Sequence, residues 1–139
     1  MSTPQPVNIL LVDDRPENLL ALCAELEPLG ENLIEVNSGR EALRALLKQE
    51  IAVILLDLKM PEMHGFDVIP LLRRVLPEVK IITTTLLSLE VFEQSGEIYQ
   101  QANATAGADA FIPKHNLTTD LIPTILEFVE STALKEMSP

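Results

Sequence analysis

Five short apolar runs punctuate the chain, at Val7–Val12, Leu33–Val36, Ile51–Leu56, Val79–Thr85 and Ala110–Ile112. They run apolar without strict alternation, so each asks for burial on both faces, as in a parallel sheet covered by helices on both sides. Between the runs, apolar residues recur at steps of three and four. Over Pro16–Leu29 the stripe is Leu19, Leu20, Cys23, Leu26 and Leu29; Pro16 suits a first turn and Gly30 follows the end. Over Gly39–Gln49 it is Ala42, Leu43, Leu46 and Leu47. Phe66–Leu76 and Leu117–Leu134 also read as helices, with Pro70 and Pro123 tolerable only near a first turn. A further helix falls somewhere within Leu89–Ala106.

Strand and helix thus alternate five times. That order predicts an α/β fold, a doubly wound five-stranded parallel sheet with right-handed crossovers. Ligands of such sheets bind at the carboxyl ends of the strands, near the topological switch point. The expected organisation is one domain over residues 1–139, with an ordered core of about 7–135 between frayed ends.

Composition narrows the function classes. Of 139 residues, 47% are apolar and 22% charged, the balance of a folded globular chain and not of an acidic disordered tail. The net charge of −11 repels phosphate backbones, so direct nucleic-acid binding is not expected. Cys23 is the only cysteine, and no Cys/His cluster has zinc-ligand spacing, so neither an internal disulfide nor a structural zinc is available. No run approaches the roughly 20 apolar residues of a membrane span, and Met1–Pro6 lacks the basic start of a signal peptide. A soluble cytoplasmic protein without membrane contact is the expectation.

The carboxyl ends of the runs carry the chemistry. The first ends in Asp13-Asp14, the third in Asp57, the fourth in Thr83-Thr84-Thr85, and Lys114 follows the fifth. Three carboxylates on one rim repel, so either their pKa values rise or a hard divalent cation lies among them, and oxygen-only ligands favour Mg²⁺. A lysine and a threonine hydroxyl supply the donors an acyl phosphate needs. Asp57, closing the buried run Ile54-Leu55-Leu56, is the natural nucleophile.

Ile9-Leu10-Leu11-Val12-Asp13-Asp14, the stretch from Ile54 through Asp57, Met60-Pro61 and Gly65, and Gly107-Ala108-Asp109-Ala110-Phe111-Ile112-Pro113-Lys114 resemble the receiver domain of two-component response regulators. The resemblance covers nearly the whole chain. It implies a flavodoxin-like (β/α)5 fold with strand order 2-1-3-4-5, and a domain that takes a phosphoryl group from a phosphohistidine using Mg²⁺. On that pattern Asp57 is the phosphoacceptor, Asp14 a direct metal ligand, Asp13 a ligand through water, and the Lys59 main-chain carbonyl a further ligand. Lys114 would pair with the phosphoryl oxygens and Thr85 would hydrogen-bond them, with Thr84 as the alternative register. Phe111 fits the aromatic that changes rotamer with that threonine, its other reading being plain packing. The implied partners are a histidine kinase or histidine phosphotransfer protein and a downstream protein or output domain, with a homodimer contact as a further use of the surface.

Several positions depart from the family pattern. His64 stands where the family usually has Asp, His115 follows Lys114 where many relatives have proline, and Leu86 follows Thr85 where a small residue is usual. Lys114 lies 29 residues after Thr85, more than receivers usually show, with the surplus around Leu87–Ala106. That surplus reads either as a partner or self-association element or as a tolerated surface insertion. Two other functions compete. A degenerate receiver would act as a phosphorylation-independent binding module. An aspartyl-phosphate hydrolase would want a second acid two residues beyond the nucleophile, where this chain has Lys59. The five glycines form no phosphate-cradling loop. Asn103 and Asn116 fit a glycosylation pattern that has no meaning in the cytoplasm.

Overall fold

The computed structural model describes residues 5–59, 65–85 and 89–137. The five apolar runs are strands β1 (Asn8–Val12), β2 (Asn32–Val36), β3 (Val53–Asp57), β4 (Lys80–Thr85) and β5 (Ala110–Pro113). They alternate with helices α1 (Pro16–Leu26), α2 (Gly39–Lys48), α3 (Gly65–Val75), α4 (Leu89–Ala106) and α5 (Leu117–Met137). The sheet runs in the order β2-β1-β3-β4-β5 and every pair is parallel, the expected flavodoxin-like arrangement.

Period-two alternation along the strands divides the core into two layers. Leu10, Val12, Ile54, Leu56 and Ile81 face Ala42 and Leu46 of α2 and Val68, Ile69 and Leu72 of α3. Ile9, Leu11, Leu55, Ile82 and Ile112 face Leu19, Leu22 and Leu26 of α1 and Leu121 and Ile125 of α5. All five residues of β3 are buried, because this central strand has neighbours on both edges and helices on both faces. Each of its aliphatic side chains contributes about 2 kcal/mol by leaving water. Asp57 is carried to the rim on this central, fully buried strand.

Helix ends follow local chemistry. Ser38 caps α2, its Oγ accepting the Glu41 N–H at 3.1 Å, while Glu41 Oε2 accepts the Asn37 N–H at 2.9 Å. Gly30, with φ of 72°, takes the left-handed conformation that ends the turn Glu27–Leu29 after α1.

Four helix expectations need correction. Leu20 and Leu47 are 73% and 75% exposed, and the inward places belong to Leu22 and Ala45. A cluster of leucines at adjacent positions satisfies two overlapping stripes, and only packing against the sheet selects one. Pro70 and Pro123 lie inside α3 and α5, beyond the first turn. Both are exposed, so the missing hydrogen bond falls on the outer face of each helix. The surplus between Thr85 and Lys114 takes the form of α4, 18 residues long. No helix among the described residues is long and apolar enough to cross a membrane.

Candidate phosphoacceptor site

The parallel register brings the predicted side chains to one rim. Asp57 ends β3 and is 4% exposed, and Asp13 directly follows β1 and is 1% exposed. Asp14, the next residue, is half-buried. One carboxylate oxygen from each of Asp13, Asp14 and Asp57 lies within 4.8 Å of the others, a set of hard oxygen donors of the kind that holds Mg²⁺. Lys114 opens the short turn Lys114–Asn116 after β5. Its Nζ is 3.3 Å from Asp13 Oδ2 and 3.5 Å from Asp57 Oδ2.

The electrostatics of the acids differ. Burial pushes the Asp57 carboxyl above its ordinary range, and the Asp13 charge adds to that push. The Lys59 N–H, 3.1 Å from Asp57 Oδ1, and the Lys114 ammonium pull the other way. Asp13 is better served: Arg15 N–H reaches its Oδ1 at 3.0 Å, and the Asn18 amide reaches Oδ1 and Oδ2 at 3.3 and 3.2 Å.

The three threonines of β4 have three different surroundings. Thr83 Oγ1 donates to Asn103 Oδ1 of α4 and lies 3.3 Å from the Ala110 carbonyl. Thr85 shares that face by alternation. Thr84 is paired in register with Asp57 and points to the opposite side of the sheet from Thr83. Among the described residues the buried Thr84 and Thr85 hydroxyls have no hydrogen-bond partner. Phe111, in register with Thr83, stacks on Tyr99 of α4 with ring centroids 5.9 Å apart. His64, Leu86 and the Met60–His64 loop lie outside the described residues.

Two contacts here escaped the sequence reading. Asn18 binds Asp13 from the first turn of α1, and Asn103, 2% exposed, holds Thr83 while its Nδ2 donates to the Tyr99 carbonyl at 2.7 Å. The available signal was an amide on an otherwise apolar helical stripe, Tyr99-Asn103-Ala106, which has to find a partner inside.

Comparison with known proteins decides the family. The sequence profile of the response regulator receiver domain matches residues 9–126. The chain belongs to that family. As a receiver it is 34% identical over 118 residues to a protein-glutamate methylesterase/protein-glutamine glutaminase of Azospirillum brasilense, covering 84% of this chain and 29% of that protein. It is 28% identical over 127 residues to the sensory/regulatory protein RpfC of Xanthomonas campestris, covering 91% of this chain and 17% of that one. The receiver spans less than a third of the length of these relatives. Among solved structures it resembles a CheY-like response regulator receiver domain protein of Methanospirillum hungatei, with TM-score 0.78, 26% identity, and 94% of this chain and 99% of that one covered. It also resembles the response regulator TrrA of Thermotoga maritima, solved in complex with Mg²⁺ and BeF, with TM-score 0.71, 25% identity, and 88% and 98% covered. Relatives that carry such a stretch include a transcriptional regulatory protein, GlrR of Escherichia coli, and a probable histidine kinase of Oryza sativa.

Proposed function

We propose that this receiver accepts a phosphoryl group on Asp57 from the phosphohistidine of a histidine kinase or histidine phosphotransfer protein, and that the modification alters the surface it offers a downstream partner or output domain. In the transfer, an Asp57 carboxylate oxygen forms a bond to phosphorus as the phosphorus–nitrogen bond breaks, and the imidazole leaves with the electron pair. The observation that carries this reading is the convergence of Asp57 with Lys114, at 3.5 Å, beside the Asp13 and Asp14 carboxylates.

The Asp13, Asp14 and Asp57 carboxylates fit a divalent cation: crowded hard oxygens on a carboxylate already pushed up in pKa, with the Lys59 main-chain carbonyl proposed as a further donor. Mg²⁺ bound there would neutralise charge developing on the transferred group. The chain's own residues do the rest. The Lys59 N–H fixes the plane of the Asp57 carboxylate, and the Lys114 ammonium stands where it can turn to phosphoryl oxygens. The unpartnered Thr85 hydroxyl is a donor in waiting, and Phe111 on the same face is the aromatic able to follow it.

On this reading the 139 residues are one receiver domain that acts in the cytoplasm as a phosphoacceptor, not as a turnover enzyme. The complete acid set together with Lys114 weighs against a phosphorylation-independent binding module. Intact-mass analysis after incubation with Mg²⁺ and acetyl phosphate tests it. A single phosphoryl adduct on the wild type and none on Asp57→Asn is expected; labelling of the variant sinks the assignment.

A further inference from the structure

Asp13 is the most heavily bonded acid of the rim. Its Oδ1 accepts from the Arg15 N–H at 3.0 Å and from Asn18 Nδ2 at 3.3 Å, and its Oδ2 from Asn18 Nδ2 at 3.2 Å and Lys114 Nζ at 3.3 Å. Three donors make these contacts: the Arg15 N–H, the Asn18 amide shared between both oxygens, and the Lys114 ammonium. Lys114 is shared with Asp57, and on the phosphoacceptor reading it turns toward the phosphoryl oxygens. Asp13, almost fully buried, then loses the one side-chain cation paired with it among the described residues. Its orientation toward the metal position then depends on the donors that stay in place.

Two donors stay. One is the Arg15 main-chain N–H; the other, a side chain, is Asn18. We infer that Asn18 is a positioning residue of the acid cluster: its amide spans both oxygens of Asp13 and keeps that carboxylate oriented when Lys114 departs. The inference rests on the phosphoacceptor reading. Asn18 is itself set by the helix start, its N–H reaching the Arg15 carbonyl at 3.0 Å in the first turn of α1. Its place therefore does not depend on what binds at the rim.

The test is calorimetric titration of the full chain with Mg²⁺, beside acetyl phosphate labelling at saturating Mg²⁺, for wild type, Asn18→Leu, Asn18→Gln, Asp13→Asn and the Asn18→Leu/Asp13→Asn double variant. Asn18→Leu has similar size and no donor. It should raise the Mg²⁺ Kd about tenfold, the lower end of the effect of removing a group that orients a metal-holding side chain. Asn18→Gln, which keeps the donor, should recover most of that loss. In the Asp13→Asn background the leucine substitution should cost less than about twofold, because its effect runs through Asp13. An unchanged Kd in Asn18→Leu, or the same tenfold loss without the Asp13 carboxylate, overturns the inference and leaves the Asp57 assignment standing. A wild type that binds no Mg²⁺ and takes no phosphoryl group overturns the phosphoacceptor reading and this inference with it. If Asn18→Leu melts below the assay temperature, Asn18→Ser, whose shorter side chain withdraws the donor, is judged by the same criteria.

Discussion

The two ends of the parallel sheet handle polar groups in opposite ways. At the amino-terminal end of β4 and β5, the Arg73 guanidinium of α3 donates to the carbonyls of Gly107, Pro77 and Val79 and to Asp109 Oδ2, the last at 2.6 Å. Asp109 Oδ2 also accepts the Ile81 N–H at 2.8 Å. Every group there is closed against another, and the end of α3, the turn before β5 and the start of β4 are locked together. At the carboxyl end, two buried hydroxyls have no partner among the described residues, one lysine is divided between two acids, and Asp57 is held above its ordinary pKa. Satisfied polar networks stiffen a fold, and polar groups left wanting are free to meet a ligand. The molecule keeps its stability at one end and its chemistry at the other.

Removing the clasp should give the largest effect. Arg73→Ala leaves several half-buried acceptors short of a donor and should lower stability by about 3 kcal/mol in urea unfolding. Phosphoryl acceptance per folded molecule should be unaffected; a loss under about 1 kcal/mol would mean the two ends are alike. Smaller effects, opposite in sign, should separate neighbouring threonines. Thr83→Val strips Asn103 of its donor and should cost about 1–2 kcal/mol, whereas Thr84→Val removes a hydroxyl that has no partner and should stabilise by up to about 1 kcal/mol. If both variants destabilise equally, the Thr84 hydroxyl has a partner after all.

The smallest effect concerns Asp57 in metal-free protein and depends on pH. Because its folded pKa is raised, the native state binds more protons than the unfolded state above the ordinary value of 3.8. Stability therefore falls as pH rises through that window, and the penalty is complete above the folded pKa. Asp57→Asn escapes it, so the variant should melt higher than wild type near pH 7, and the gap should close below about pH 4. A gap that widens in acid would reverse the assigned direction.

Much of the fold and half of the site could be read from residues alone. Unbroken apolar runs identify buried parallel strands, and the polar residues that end or follow them, Asp13, Asp14, Asp57, Thr83–Thr85 and Lys114, fall at the rim, while the choice of Thr85 among the threonines came from the family resemblance. Helix faces were less legible, because Leu19, Leu20 and Leu22 offer two stripes and only contact with the sheet chooses between them. Nor could pattern show what Arg73, Asn18 and Asn103 bind. Their partners are main-chain carbonyls and side chains up to 36 positions away, and such contacts depend on side-chain reach, not on periodicity.

The candidate site is also spread along the chain in time. Asp13 and Lys114 are 101 positions apart, and Asp57 and Lys114 are 57 apart. Synthesis from the amino terminus makes all three acids before β5 and the lysine. An interrupted or truncated product that ends before β5 carries the acids without their cation and without the strand that brings it to them. The acids and the lysine meet only when the last strand is in place, so the order of synthesis makes the candidate site one of the final features of the fold to be completed.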